Sequence, residues 1–204
     1  MINFINDSVE EPYILLKKNY LDAISVKQKS VEAISIASFS KDKNEVDTRF
    51  VNLKYVDNNN FIFFTNYNSK KSVEFESHDQ IAAVLYWGSI NIQIRIKAKI
   101  KKTSTEYNQK YFAERSPQKN ALAISSNQSK PIDSYESVVK KYNKSLESND
   151  LKECPNYWGG YSFTPYYFEF WEGSNSRLNK RDMYKKNGNN WTTPFFNHRY
   201  NLIA

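Results

Sequence analysis

The stretch Ile90-Asn91-Ile92-Gln93-Ile94-Arg95-Ile96-Lys97-Ala98-Lys99-Ile100-Lys101 decides how the chain is read. Ile90, Ile92, Ile94, Ile96, Ala98 and Ile100 alternate with Asn91, Gln93, Arg95, Lys97, Lys99 and Lys101. Successive side chains on a strand face opposite ways, so this period of two predicts a strand with one buried and one wet face. Just upstream, residues 81–87 are apolar on both faces, which predicts a central strand. Further strands are expected at residues 31–39, 48–56 and 61–65, with Asp57-Asn58-Asn59-Asn60 as a hairpin turn. Others fall at 161–163 and 166–171, and in a hairpin of 181–186 and 190–192 turning at Asn187-Gly188.

Helical spacing appears between these strands. Residues 11–28 open with Pro12 and place Tyr13, Leu16, Tyr20, Ala23 and Ile24 on one stripe. Residues 69–77 read as a short helix capped by Ser69, and 104–115 as one carrying Tyr107, Tyr111 and Phe112. Asp133-Ser134-Tyr135-Glu136 reads as a capping box opening a helix with the stripe Tyr135, Val138, Val139, Tyr142 and Leu146. Residues 147–155 are polar and read as loop. No repeat or linker divides the chain, so 1–204 reads as a single α+β domain, a small antiparallel β-barrel with peripheral helices.

At 204 residues the chain is long enough to bury a core. Its longest apolar run, residues 81–87, falls far short of the roughly 18 residues that a membrane span needs. Asp7, Glu10 and Glu11 precede Lys17-Lys18, the wrong order for a secretory signal, so the expectation is a soluble, cytoplasmic protein. One cysteine, Cys154, excludes a disulfide framework or a multi-thiolate zinc site, and His78 and His198 form no ligand pair, so no metal is expected. The five glycines spell no GxGxxG, Walker A loop or GxSxG elbow, which makes dinucleotide, P-loop and serine-hydrolase chemistry poor fits. His78 finds no nucleophile to serve, and nothing activates Cys154.

A formal charge of +7 and 16% aromatic residues favour an anionic partner: nucleic acid, an acidic surface or a phosphorylated small molecule. Arg49 and Lys54 flank Phe50-Val51-Asn52-Leu53 at an odd separation, so on a regular strand they face opposite sides and serve two anions, or simply solvate the surface. Ser69-Lys70-Lys71 at a helix start makes either a phosphate site or a solvated charge pair. Arg177, Asn179 and Arg181 share a face if that segment is extended. The aromatic residues of 157–171 suit a base-stacking platform or, more commonly, barrel core and dimer interface.

Six motifs recur in order. They are Arg49-Phe50-Val51-Asn52-Leu53-Lys54, Phe64-Thr65-Asn66-Tyr67-Asn68-Ser69-Lys70-Lys71, and residues 87–93. Then come Tyr111-Phe112 with Arg115, Gln128-Ser129, and Trp158-Gly159-Gly160-Tyr161 with Glu169-Phe170-Trp171, Arg177-Leu178 and Arg181. Together, across about residues 30–192, they resemble the pyridoxamine 5′-phosphate oxidase family, FMN-dependent enzymes with an antiparallel Greek-key split barrel.

The resemblance implies FMN contacts from Arg49, Phe50, Val51, Asn52, Leu53, Lys54, Phe64, Thr65, Lys70, Lys71, Gln93, Gln128, Ser129, Trp171 and Arg181. It gives the substrate phosphate to Lys54, Tyr111, Arg115 and Lys119, and the substrate ring to Arg177. It implies a homodimer with FMN at the interface, oxidising pyridoxine or pyridoxamine 5′-phosphate to pyridoxal 5′-phosphate with O2 in vitamin B6 metabolism. The catalytic pair becomes Arg177 and Asn179, the latter standing where the family carries histidine. Lys119 replaces a family serine, Ser116 a proline and Lys70 an arginine, and the tail 197–204 departs from the usual ending. These departures gather on the substrate side. The rival readings are therefore a relative that oxidises another ring, as in the phenazine branch, and a non-enzymatic basic barrel binding nucleic acid.

Overall fold

The computed structural model describes residues 1–147 and 150–193. In chain order these form β1 (Asn3–Ile5), α1 (Glu11–Ser25), β2 (Ala33–Ser40), β3 (Glu45–Asn52), β4 (Tyr55–Asp57), β5 (Asn60–Asn66), α2 (Lys70–Ser77) and β6 (Gln80–Trp87). After a single 3₁₀ turn at Gly88–Ile90 come β7 (Ile92–Lys102), α3 (Thr105–Glu114), α4 (Pro117–Ser125), α5 (Tyr135–Leu146), β8 (Trp158–Glu172), β9 (Lys180–Asn187) and β10 (Asn190–Thr192). The ten strands share one sheet in the order β1-β4-β5-β8-β7-β6-β2-β3, with β9 on β8 and β10 on β9. All ladders are antiparallel except β1 with β4. This is the expected α+β architecture, with an open sheet instead of a closed barrel. Among the described residues no helix is long and apolar enough to cross a membrane.

The period of two in β7 is realised: Ile92, Ile94, Ile96, Ala98 and Ile100 are buried. Ile90 is not part of the strand. It lies in the 3₁₀ turn, and Asn91 adopts a left-handed conformation that asparagine tolerates. β6 lies inside the sheet as expected, between β7 and β2, but only Ile81, Ala83, Leu85 and Trp87 reach the core. Ala82, Val84 and Tyr86 belong to the opposite face, which no other layer covers among the described residues.

Four other expectations need correction. The strand expected over 48–56 is broken: β3 ends at Asn52, Leu53 drops into the core, and β4 begins at Tyr55. There the chain changes partners, Leu53 N–H donating to Glu32 O at 2.8 Å and Lys54 N–H to Ile62 O at 2.8 Å. The strands expected at 161–163 and 166–171 are one strand, β8: Pro165 pairs with Ala98, and a bulge opposite Lys97 and Ala98 takes up Tyr166 so that the ladder continues at Tyr167. The cap of α5 is Ser134 and not Asp133, its hydroxyl accepting the Ser137 N–H at 3.1 Å. Ser69 occupies the cap position of α2, yet its hydroxyl faces Ser72 and makes no cap bond.

The segments β1 and α4 have no counterpart in the sequence reading. Tyr161, Phe163, Phe168 and Phe170 are buried, so the aromatics of 158–171 are mainly core. Gly159 and Gly160 let β8 run against α3, since a Cβ on Gly159 would collide with Tyr67 Oη and Asn108 Nδ2. His198 and the tail 197–204 lie outside the described residues.

Candidate functional site

A cleft of about 670 Å³ opens where the β3–β4 corner meets β5, α2, α3, α4 and the start of β8. Phe50, Val51, Asn52 and Lys54 enter it from the corner, Phe64 and Thr65 from β5, and Lys71 from α2. Tyr111 and Arg115 come from the end of α3, Lys119 from α4, and Gln128 from the loop that follows. Eleven residues expected at the site from six separate segments thus meet in one depression.

Lys71 is only 8% exposed, and its ammonium donates to Ser69 Oγ at 3.1 Å. Burial, helped by the nearby Arg49 charge, lowers its pKa to about 8. Arg115 stacks its guanidinium 4.4 Å above the Trp158 ring and donates from Nη2 to Lys119 O at 3.2 Å. Its Nη1 is buried with no hydrogen-bond partner. Among the described residues none of Lys54, Lys71, Arg115 or Lys119 forms a carboxylate ion pair. A buried cation is costly unless paired, so Lys71 and the half-buried Arg115 fit an incoming anion, with Lys54 and the exposed Lys119 at hand.

One wall of the cleft is a stack of rings. Phe64 and Tyr111 lie parallel at 3.7 Å between centroids, and Phe64 and Trp158 at 5.3 Å. Burial raises the Tyr111 phenol above its ordinary range, so it stays a neutral hydrogen-bonding group. Gln128 is anchored beside this wall, its Oε1 accepting from Thr65 Oγ1 at 3.1 Å and from the Asn66 N–H at 3.4 Å. Ser129 follows it in a left-handed conformation.

Not every expected residue reaches the cleft. The Arg49 side chain turns away to Glu74 Oε2 at 2.9 Å, Asp47 Oδ2 at 3.1 Å and Ser38 Oγ. Lys70 pairs with Asp47 at 2.8 Å, and Leu53 is core. Arg49 and Lys54 part company as their spacing suggested: Arg49 is taken by two carboxylates of its own chain, while Lys54 lines the cleft.

A second group forms on the bare sheet face. Gln93, Trp171 and Arg181 stand in register across β7, β8 and β9. On the same face lie Phe50 (75% exposed) and Tyr86 (58% exposed) from β3 and β6. A third group is the turn after β8, where Arg177 takes a left-handed conformation and donates its N–H to Ser174 O at 3.0 Å. Asn179 Oδ1 accepts the Ser174 N–H at 3.0 Å, so its carboxamide closes this turn.

Trp158 and Tyr55 are cleft residues to which the sequence assigned no role. Trp158 stood in the Trp-Gly-Gly-Tyr motif, and that was the available signal.

Residues 22–145 match the model of the pyridoxamine 5′-phosphate oxidase family, and residues 158–195 match the pyridoxine 5′-phosphate oxidase C-terminal dimerisation region. The chain belongs to the pyridoxamine 5′-phosphate oxidase family. Within it, a pyridoxine/pyridoxamine 5′-phosphate oxidase from Leptospira interrogans is 31% identical over 184 residues, covering 89% of this chain and 86% of its own. One from Legionella pneumophila is 33% identical over 188 residues, covering 91% and 87%. The crystal structure of PhzG from Burkholderia lata in complex with tetrahydrophenazine-1-carboxylic acid superposes with a TM-score of 0.85 at 26% identity, covering 91% of both chains. A pyridoxamine 5′-phosphate oxidase-related, FMN-binding protein from Nostoc punctiforme shares the fold with a TM-score of 0.75 at 14% identity, covering 91% of this chain and 97% of its own. Membership of the pyridoxamine 5′-phosphate oxidase family supports an FMN-type oxidoreductase, and the match to its dimerisation region supports a homodimer.

Proposed function

We propose that the chain is an FMN-dependent oxidase converting pyridoxine or pyridoxamine 5′-phosphate to pyridoxal 5′-phosphate with O2 as acceptor, in vitamin B6 metabolism. The observation that carries this reading is the cleft of unpaired cations beside a ring wall, with Lys71 buried and Arg115 Nη1 unpartnered. When bound, FMN would supply the redox chemistry, taking a hydride equivalent from the substrate carbon and delivering it to O2.

In this reading Lys71, Thr65, Gln128 and Ser129 hold the cofactor phosphate, and Phe50, Val51, Asn52 and Leu53 shape the corner beside it. Lys54, Tyr111, Arg115 and Lys119 hold the substrate phosphate. Binding energy gained at that remote group orients the ring for reaction. Gln93, Trp171 and Arg181 belong to the same cofactor site but come from the second subunit. Five ladders separate β3 from β9, about 24 Å along the sheet at about 4.8 Å each. A two-fold pairing of the bare faces sets one protomer's Arg181 group against its partner's cleft. Arg177 reaches the substrate ring from that side, and Asn179 holds its turn in place.

The test is the visible spectrum of the purified protein, followed by addition of pyridoxamine 5′-phosphate without oxygen. A yellow protein that bleaches supports the proposal, and a colourless one that takes up no FMN overturns it. A second reading, oxidation of a phenazine-type ring, is favoured by the likeness to PhzG in complex with tetrahydrophenazine-1-carboxylic acid and by Asn179 and Lys119 on the substrate side. It predicts a yellow protein that pyridoxamine 5′-phosphate leaves unbleached.

A further inference from the structure

Glu169 sits mid-strand in β8, on the face of the sheet that the protomer leaves bare, yet it is only 3% exposed. Its carboxylate is fully occupied. Arg95 Nη1 donates to both oxygens at 3.2 Å, Tyr167 OH donates to Oε2 at 2.6 Å, and Arg181 Nε lies 3.6 Å from Oε1. Arg95 is the cross-strand partner of Glu169, while Arg181 approaches diagonally from β9, opposite Trp171. Two arginines and a phenol from three strands thus converge on one acid.

Such a cluster is a poor source of stability, because desolvating the charges offsets most of their attraction and an apolar residue would fill the space as well. What it does supply is orientation. The Arg181 side chain is 40% exposed, and a long side chain at such a surface samples many rotamers. Pairing Nε with a buried carboxylate at 3.6 Å restricts that sampling and leaves the two terminal nitrogens available to a ligand. Arg95 places a second positive charge against the same carboxylate, at 3.2 Å.

We propose that Glu169 is a positioning residue for cofactor binding, holding Arg181 in the orientation in which it receives FMN. The inference rests on the function proposed above. Its mode of action is preorganisation: the guanidinium is ordered before the ligand arrives, so binding does not carry that cost.

The experiment is a double-mutant cycle on FMN affinity, measured by flavin fluorescence quenching on the apoprotein of wild type, Glu169→Gln, Arg181→Ala and the double variant. Glu169→Gln is expected to weaken FMN binding about tenfold, and to add nothing in the Arg181→Ala background. The apoprotein melting temperature reads stability separately. Additive penalties, or unchanged affinity in Glu169→Gln, overturn the positioning role while leaving the cofactor assignment intact. Should Glu169→Gln fail to fold, Arg181→Lys decides: it keeps the charge but loses Nε, and is expected to bind as weakly as Arg181→Ala. Wild-type affinity in Arg181→Lys overturns the inference. A wild-type protein that takes up no FMN overturns both the inference and the function beneath it.

Discussion

The guanidinium of Arg115 lies over Trp158, 4.4 Å from the ring centroid, with one terminal nitrogen hydrogen-bonded and the other unsatisfied. An arginine held by its face keeps its edge for a ligand, and a planar fork suits a phosphate. Arg115→Ala is expected to raise KM for a phosphorylated substrate at least about tenfold and to change kcat less than about threefold. Steady-state kinetics check this, and an unchanged KM rules out the role.

Lys71 makes pH a two-sided probe. Burial, with Arg49 adding to it, brings its pKa from 10.5 down to about 8. Between these values the unfolded chain holds a proton that the folded chain lacks, so this group makes ligand-free stability rise with pH across that window. Anion binding needs the charged form, so FMN affinity is expected to start falling at about pH 8. Lys71→Met should flatten both profiles and bind FMN poorly while melting no lower than wild type at neutral pH. Denaturant midpoints and FMN titrations over pH 7–10 provide the comparison.

Asn179 spends its side-chain oxygen on the Ser174 N–H. Asn179→Ala removes a bond contributing about 1 kcal/mol to an exposed turn, so global melting should shift by less than about 4 °C. The effect is expected in substrate KM, through Arg177, with FMN affinity unchanged. Loss of FMN with KM unaltered would place Asn179 on the cofactor side instead.

Gly159 tests the close approach of β8 to α3. Gly159→Ala drives a methyl group into Tyr67 and Asn108, a strain expected to cost about 1–3 kcal/mol. Thermal unfolding should show the loss. A melting temperature equal to wild type would mean that the contact relaxes freely.

Phe50 projects from the bare face, 75% exposed. Phe50→Asp is expected to shift the dimer toward monomer in sedimentation velocity and to weaken FMN uptake in proportion. Loss of dimer with full FMN binding would separate assembly from the site.

Much of this was legible from the chain because periodicity reports which face is buried. The alternation in β7 and the gathering of Lys54, Lys71, Tyr111 and Arg115 follow from local pattern and motif order. What was illegible depends on residues distant in sequence. Nothing near Arg49 announces Glu74, 25 positions on, as its partner. β1 is too short to carry a period, and it exists because β4 offers it an edge. The break at Leu53 is likewise invisible locally, since a β-branched and apolar run looks the same whether or not it changes ladders.

That break sets a rule about length. Lys54 reaches the cleft because the corner between β3 and β4 is two residues long, Leu53 N–H bonding back to Glu32 beside β2 and Lys54 N–H already bonding to Ile62 in β5. Inserting or deleting one residue between Asn52 and Tyr55 would leave both flanking ladders able to form, yet would swing the ammonium out of the depression. Descendants of this gene can therefore exchange side chains at the corner far more freely than they can change how many it contains.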